Sequence, residues 1–352
     1  MNLDSRAALI LIFLFVGQLT GRSADIEFVV GGYMQSEGGS WDPQESALKN
    51  PFGVDFDSKG NMYVVELVGG RVHRIDTEGQ LTRIAGDGSK SYTGDGGPAI
   101  EATFNGMHNC AVTSDDQLLI ADSWNHCVRQ IDLASGKIDT LIGTGAEGFS
   151  GDGGPARDAT FNFIMCISLD HAKKVLHIVD LKNRRVRNVD LQSGKVTTVA
   201  GNGQKGVPKN GAEATQSPLV DPRAAASDSN GNLYVLERGG NAIRVVRPNG
   251  KIFTVAGPGH QGHDDGPAKK ATFGSPKHIC TDGEGNLYVA DDLNGAIRKY
   301  DPKTKQVETV LGKGYGDRRI RLLHPHGVCI HDGTLYVVDS GNHRILSMPI
   351  RP

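Results

Sequence analysis

Apolar residues in this chain fall into short alternating runs broken by glycine, the period-two pattern of β-strands rather than the broader stripe of an amphipathic helix. One kind of run closes on a glycine: Ile26-Glu-Phe-Val-Val-Gly31, Leu81-Thr-Arg-Ile-Ala-Gly86, Ile138-Asp-Thr-Leu-Ile-Gly143, Val196-Thr-Thr-Val-Ala-Gly201, Ile252-Phe-Thr-Val-Ala-Gly257 and Val307-Glu-Thr-Val-Leu-Gly312. Successive glycines lie 55, 57, 58, 56 and 55 residues apart. A period this constant means one supersecondary unit used repeatedly.

A second run ends in an acid: Met62 to Glu66, Leu118 to Asp122, Leu176 to Asp180, Leu233 to Glu237, Leu287 to Asp291 and Leu335 to Asp339. A short apolar strand such as Phe52 to Phe56 precedes it, and a loop with a third strand such as Ala296 to Tyr300 follows. Each unit therefore holds four strands, which is the blade of a propeller. The pattern predicts an all-β chain, a six-bladed β-propeller of four-stranded antiparallel blades. The last unit begins at Pro325 and lacks a fourth strand, while Ile26 to Val30 has no blade of its own. The N-terminal strand is expected to complete the sixth blade and close the ring, removing open sheet edges.

The motif Pro-x-Gly-Val, then Gly-Asn-Leu-Tyr-Val-Ala-Asp, then Asn and Arg, resembles that of NHL repeats, and residues 284 to 298 (EGNLYVADDLNGAIR) are its cleanest copy. The resemblance covers residues 26 to 350. It implies the propeller fold and a bacterial-type exported protein, and leaves activity open, because propellers of this kind serve as binding platforms and as enzymes.

Composition agrees. Glycine reaches 47 residues, aromatics 6 % and hydrophobics 38 %, which suits short strands and tight turns. The net charge of −2 and the lack of long Lys/Arg runs argue against nucleic acid as a partner. Arg6, the apolar run Ala7 to Val16 and the small residues up to Ala24 read as a signal peptide over 1–23, with the propeller filling 24–352. That apolar run is short for a membrane span, so the body is expected outside the cytoplasm, secreted or periplasmic, as a monomer. Cys110, Cys127, Cys166, Cys280 and Cys329 show no metal-binding spacing and are read as buried thiols.

Ligand sites in propellers form where the inner strands begin around the central channel. The residue before the Gly of Pro-x-Gly is, blade by blade, Phe52, His108, Met165, Arg223, Lys277 and His326. His108, Arg223, Lys277 and His326, with neighbouring His278 and the loop residue Trp124, are the candidate ligand-binding residues. Basic groups held close favour a small anionic ligand and should lower the histidine pKa values. Similar propeller lyases that process amidated peptides place metal-binding histidines here in alternate blades. That resemblance leaves a divalent metal on His108 and His326 as the one cofactor to consider, but Arg223 replaces the third ligand a catalytic zinc requires. Gluconolactonase-like propellers open with Glu-Gly-Pro-x-Trp, which this chain lacks.

Two further motifs read as structural. The six acids recur in every blade with Arg seven residues on at Arg129, Arg187, Arg244 and Arg298, and Asn three residues on at Asn125, Asn183, Asn294 and Asn342. The Gly-Asp-Gly-Gly-Pro-Ala segments at 94–99 and 151–156 lack the ligand series of a calcium loop and the Lys-Ser/Thr of a phosphate loop. The loops around them carry Tyr92 and Phe149, placed on the same face as Trp124. The expected function is a module binding a protein, glycan or small anion through its loop-rich face. A lactonase-like hydrolase or an amidating-lyase-like enzyme with its site at the channel mouth is the alternative, since no catalytic constellation stands out from the repeat.

Overall fold

The computed structural model describes residues 26–31 and 48–350; the expected signal peptide and its cleavage point lie outside them. Six sheets follow one another along the chain. Blade 2 is representative: strands Met107–Val112, Gln117–Asp122, Cys127–Asp132 and Ile138–Ile142 pair in that order from the axis outward. Burial follows the radius. Its first strand is buried throughout, whereas the fourth alternates, with Ile138 and Thr140 buried and Asp139 exposed. Inner strands touch neighbouring blades on both faces, so they read as continuous apolar runs, while outer strands meet water on one side.

The core lies between blades. Ala111, Leu119, Ala121 and Ile142 of blade 2, for example, pack against Phe161, Ile164, Ile167 and Ile178 of blade 3. First strands neighbour one another around the circle, and Pro325–His331 of blade 6 returns to Pro51–Phe56 of blade 1. Among the described residues, helix is confined to single 3-10 turns such as Ala99–Glu101, entered through Pro98. No helix among the described residues is long and apolar enough to cross a membrane.

The ring closes as expected. Glu27–Val30 pairs antiparallel with Arg344–Pro349, Glu27 opposite Ser347 and Phe28 opposite Leu346, and becomes the outermost strand of blade 6. Phe28 lies against the Arg344 guanidinium at 5.2 Å, and Val29 and Val30 pack against the core shared by blades 6 and 1. Removal of residues 26–31 is therefore expected to expose the edge of Arg344–Pro349 and lower the melting temperature of the whole domain rather than of one blade. Calorimetry with light scattering checks this: a truncated chain that melts like the full one and stays monodisperse would exclude velcro closure as a source of stability.

Candidate binding site at the channel mouth

The six acids act first as anchors. Each is almost fully buried and accepts a backbone N–H from the loop entering its own blade: Lys49 to Glu66 (2.6 Å), Asn105 to Asp122 (2.7 Å), Asn162 to Asp180 (2.8 Å), Val220 to Glu237 (2.5 Å), Gly274 to Asp291 (2.6 Å) and Leu323 to Asp339 (2.7 Å). The Asn side chains three residues on donate to the same carboxylates, for example Asn342 to Asp339 at 2.7 Å. Strand-three side chains complete the set, with Arg298 at 2.9 Å from Asp291, Arg344 at 2.7 Å from Asp339 and the His73 imidazole at 3.2 Å from Glu66. The aspartates of the Gly-Asp-Gly-Gly-Pro segments serve the same arginines: Asp95 meets Arg129 at 2.6 Å and Asp152 meets Arg187 at 2.7 Å. Both motifs are thus structural.

Three residues after each anchored N–H comes the mouth residue, and in five blades it is the extra residue of a β-bulge. The pairing slips between Pro51 and Gly53, Met107 and Asn109, Ile164 and Cys166, Pro222 and Ala224, and Pro325 and Gly327. A bulged residue leaves the ladder and its side chain is re-aimed. Here the skipped residues are Phe52, His108, Met165, Arg223 and His326. Blade 5 differs: Lys277 N–H donates to Ala290 at 2.8 Å and the paired strand begins at His278. The first strands must approach closely for this to work. A Cβ on Gly327 would stand 2.6 Å from the Phe52 carbonyl oxygen, so the Gly of Pro-x-Gly is a packing requirement.

These side chains gather across blade boundaries. The Phe52 ring centroid is 5.1 Å from that of His108 and 4.1 Å from that of His326, so one phenyl group bridges blades 2 and 6. Lys277 lies 3.3 Å from Asp292, whose other oxygen meets His324 at 2.9 Å and His326 at 3.8 Å. His108 Nδ1 is 2.8 Å from the Gly106 carbonyl and 2.9 Å from Ser123 Oγ, and that hydroxyl donates to the Ile164 carbonyl. Nδ1 therefore carries the proton and Nε2 keeps its lone pair. Burial, with Arg223 adding to it, holds the His108 pKa at about 3. Burial followed by Lys277 and Arg223 takes His326 to about 2. The direction matches the sequence expectation, but burial outweighs the like charges that were its stated cause.

Arg223 is 7 % exposed and has no hydrogen bond or ion pair among the described residues. Burial, then nearby Arg238, lowers its pKa to about 10, so it stays charged at neutral pH. Arg238 is itself held by Asp221 at 2.9 Å.

The other candidates separate. Trp124 stands beside the mouth in the 3-10 turn Ser123–Asn125, 39 % exposed, its ring at 5.9 Å and perpendicular to His108. His278 lies one residue deeper: it donates to the Val328 carbonyl at 3.1 Å, and Nε2 receives Asn109 Nδ2 at 3.2 Å beside Cys166 Sγ at 3.6 Å. It belongs to the floor of the mouth. Tyr92 and Phe149 cover strand-three arginines instead, Tyr92 at 5.2 Å from Arg129 and Phe149 at 3.8 Å from Arg185. All five cysteines are free. No three His, Cys, Asp or Glu side chains among the described residues are placed to hold a metal ion, and Phe52 lies against both His108 and His326. Sequence reasoning missed Asp292, whose signal was the second Asp of Val-Ala-Asp-Asp where other blades carry Leu, Ser or Arg. It also missed Phe163, 5.4 Å from His108.

The fold and this mouth define a six-bladed β-propeller with a basic channel entrance. Residues 322–346 match the NHL repeat family, and the chain is an NHL-repeat propeller. It is similar to NHL repeat-containing protein 2 of Homo sapiens, 26 % identical over 289 residues that make up 71 % of this chain and 40 % of that protein, so it spans under half of this relative's length. Among solved structures it is similar to an auxiliary nutrient binding protein from Bacteroides ovatus (TM-score 0.67, 14 % identity, 93 % of this chain and 76 % of that one). It is also similar to a gluconolactonase from Xanthomonas campestris (TM-score 0.61, 12 % identity, 93 % and 90 %). At these identities the likeness shows the fold.

Two expected outcomes follow from this geometry. Asp339→Ala removes the acceptor of Leu323, Asn342 and Arg344 together and leaves a buried guanidinium without its carboxylate; urea denaturation should show a loss of about 3–5 kcal/mol. The histidines set a pH dependence. Their folded pKa values lie below the ordinary 6.5, so as pH falls the unfolded chain takes up the protons first, and stability present above pH 6.5 is lost toward pH 3. Each contributes a slope of up to about 1.4 kcal/mol per pH unit. A His108→Phe/His326→Phe variant should show a shallower fall of melting temperature in that window.

Proposed function

We propose that this chain is an exported, monomeric binding protein that captures a small anionic ligand at the channel mouth. The observation that carries the reading is the Arg223 guanidinium. On the side of the mouth formed by blades 4 to 6, the cations Arg223, Arg238 and Lys277 face two carboxylates, Asp221 and Asp292, among the described residues. Arg238 takes Asp221 and Lys277 takes Asp292, so Arg223 is the surplus charge. A buried unpaired cation is costly to fold around. The fork of a guanidinium suits a carboxylate or phosphate held bidentately, in a site where little water competes. Export rests on the Arg6 and Ala7–Val16 leader pattern, and the nutrient binding neighbour is consistent with capture of a small solute.

Catalysis at the same mouth, on a lactone or a lyase substrate, is the second reading. His108 Nε2 offers it a lone pair beside Arg223. An imidazole with a pKa near 3 is neutral at pH 7 but a weak base, which favours binding over proton abstraction.

Arg223→Met tests the proposal, because Met165 already occupies the equivalent position in blade 3. Calorimetric titration with acetate, citrate and phosphate at low ionic strength should show an anion that binds the parent chain and binds this variant at least about thirtyfold more weakly, with its melting temperature retained. An anion bound equally well by both chains would place the site elsewhere.

A further inference from the structure

The mouth has two unlike sides. Blades 1 to 3 give it Phe52, Met165, Phe163 and Trp124, with neutral His108 between them: Phe52 and Phe163 lie 5.1 and 5.4 Å from its ring and Trp124 5.9 Å. Trp124 and Phe163 also touch each other, at 6.2 Å and 61°. Blades 4 to 6 give it Arg223, Lys277 and His326, with Asp292 holding the last two. In a six-membered ring blade 1 faces blade 4 and blade 3 adjoins it, so Phe52 lies across the axis from Arg223 and Phe163 lies in the neighbouring blade.

Phe163 places an aromatic ring at a position that the repeat turns left-handed. Its φ is +68°, the left-handed region, where a bulky side chain is strained. The equivalent residues of blades 1, 2, 5 and 6 are Asn50, Gly106, Ser275 and His324, also at positive φ. Gly106 is needed there, since the Trp124 ring lies where its Cβ would go, within 2.3 Å. The repeat therefore sets this conformation, and at Phe163 a bulky side chain takes it, with its N–H donating to His126 Nδ1 at 3.0 Å and its carbonyl accepting the Leu181 N–H. Lys90 stands over the Trp124 ring at 5.9 Å and Lys182 over Phe163 at 5.8 Å. These cations, with Arg223 and Lys277, oppose a cationic ligand of the sort that aromatic cages otherwise hold.

We infer that the ligand is an aromatic acid, its carboxylate on Arg223 and its flat apolar ring against Trp124, Phe163 and Phe52. The inference rests on the anion reading above and adds the chemical class. Ring against ring supplies apolar contact and quadrupole attraction, and the carboxylate neutralises the surplus charge. The span from Arg223 to the facing wall then sets how far the carboxylate stands from the ring.

The test compares acetate, phenylacetate and D-glucuronate by calorimetric titration on the full chain, Trp124→Ala, Phe163→Gly and Arg223→Met. Phenylacetate is expected to bind the parent at least about tenfold more tightly than acetate. Trp124→Ala and Phe163→Gly should bring it down to the acetate level while acetate is unchanged, and Arg223→Met should abolish both. Phe163→Gly also relieves the left-handed strain, so a folded protein that has lost only ring selectivity separates a binding role from a packing one. Phenylacetate no tighter than acetate, or glucuronate tightest of the three, overturns the aromatic-acid inference while acetate binding that depends on Arg223 leaves the anion reading standing. No binding of any of the three to the parent chain overturns both.

Discussion

The hydrogen bond from an incoming backbone N–H to a buried acid, made once per blade, is the interaction on which the rest of this structure depends. It fixes the point at which each first strand enters its sheet, always three residues before the mouth residue. A one-residue slip would carry every side chain of that strand to the other face. With the entry fixed, the bulge that follows in five blades comes at the same step of each first strand and re-aims the five side chains it carries. Buried carboxylates would be a liability alone. Backbone N–H, Asn amide and Arg or His together offset their desolvation and turn them into the joints of the ring.

Repetition made most of the architecture legible in the sequence. Equal spacing gave the blade count, and the missing fourth strand after Asp339 paired off against the unassigned strand at Ile26. The acids could be set aside as structural because a group present in all six blades serves the blade. The same comparison picked out the mouth position, where Phe52, His108, Met165, Arg223, Lys277 and His326 differ. What repeat alignment does not supply is direction. His278 follows Lys277 in the chain but is the first paired residue of its strand, in the one blade of the six without the bulge, so adjacency in sequence became a change of depth. Asp292 and Phe163 were hidden for a related reason: each is an ordinary loop residue by type, and only the approach of the next blade gives it a neighbour at the axis.

The site is made where the repeat stops repeating. A six-fold ring of identical side chains would offer a symmetric ligand a symmetric field. This ring splits into an apolar arc over blades 1 to 3 and a basic arc over blades 4 to 6, so the pseudo-symmetry of the backbone carries a dipolar mouth. Phe52 belongs to both arcs, touching His108 on one side and His326 on the other. Its ring excludes water from both imidazoles, which is why burial rather than neighbouring charge dominates their low pKa values. Neutral histidines in turn add no charge beside Arg223.

Below the mouth the channel is bridged. His278 reaches from blade 5 toward Asn109 of blade 2 and Cys166 of blade 3 while its other nitrogen donates to Val328 of blade 6, so one neutral imidazole ties four blades across the axis. Burial lowers its pKa to about 4, which keeps it uncharged and able both to donate and to accept at neutral pH. The bridge places a hydrogen-bonded layer directly beneath the mouth residues. Because Asn109 and Cys166 directly follow His108 and Met165 in their strands, the floor is continuous with the walls.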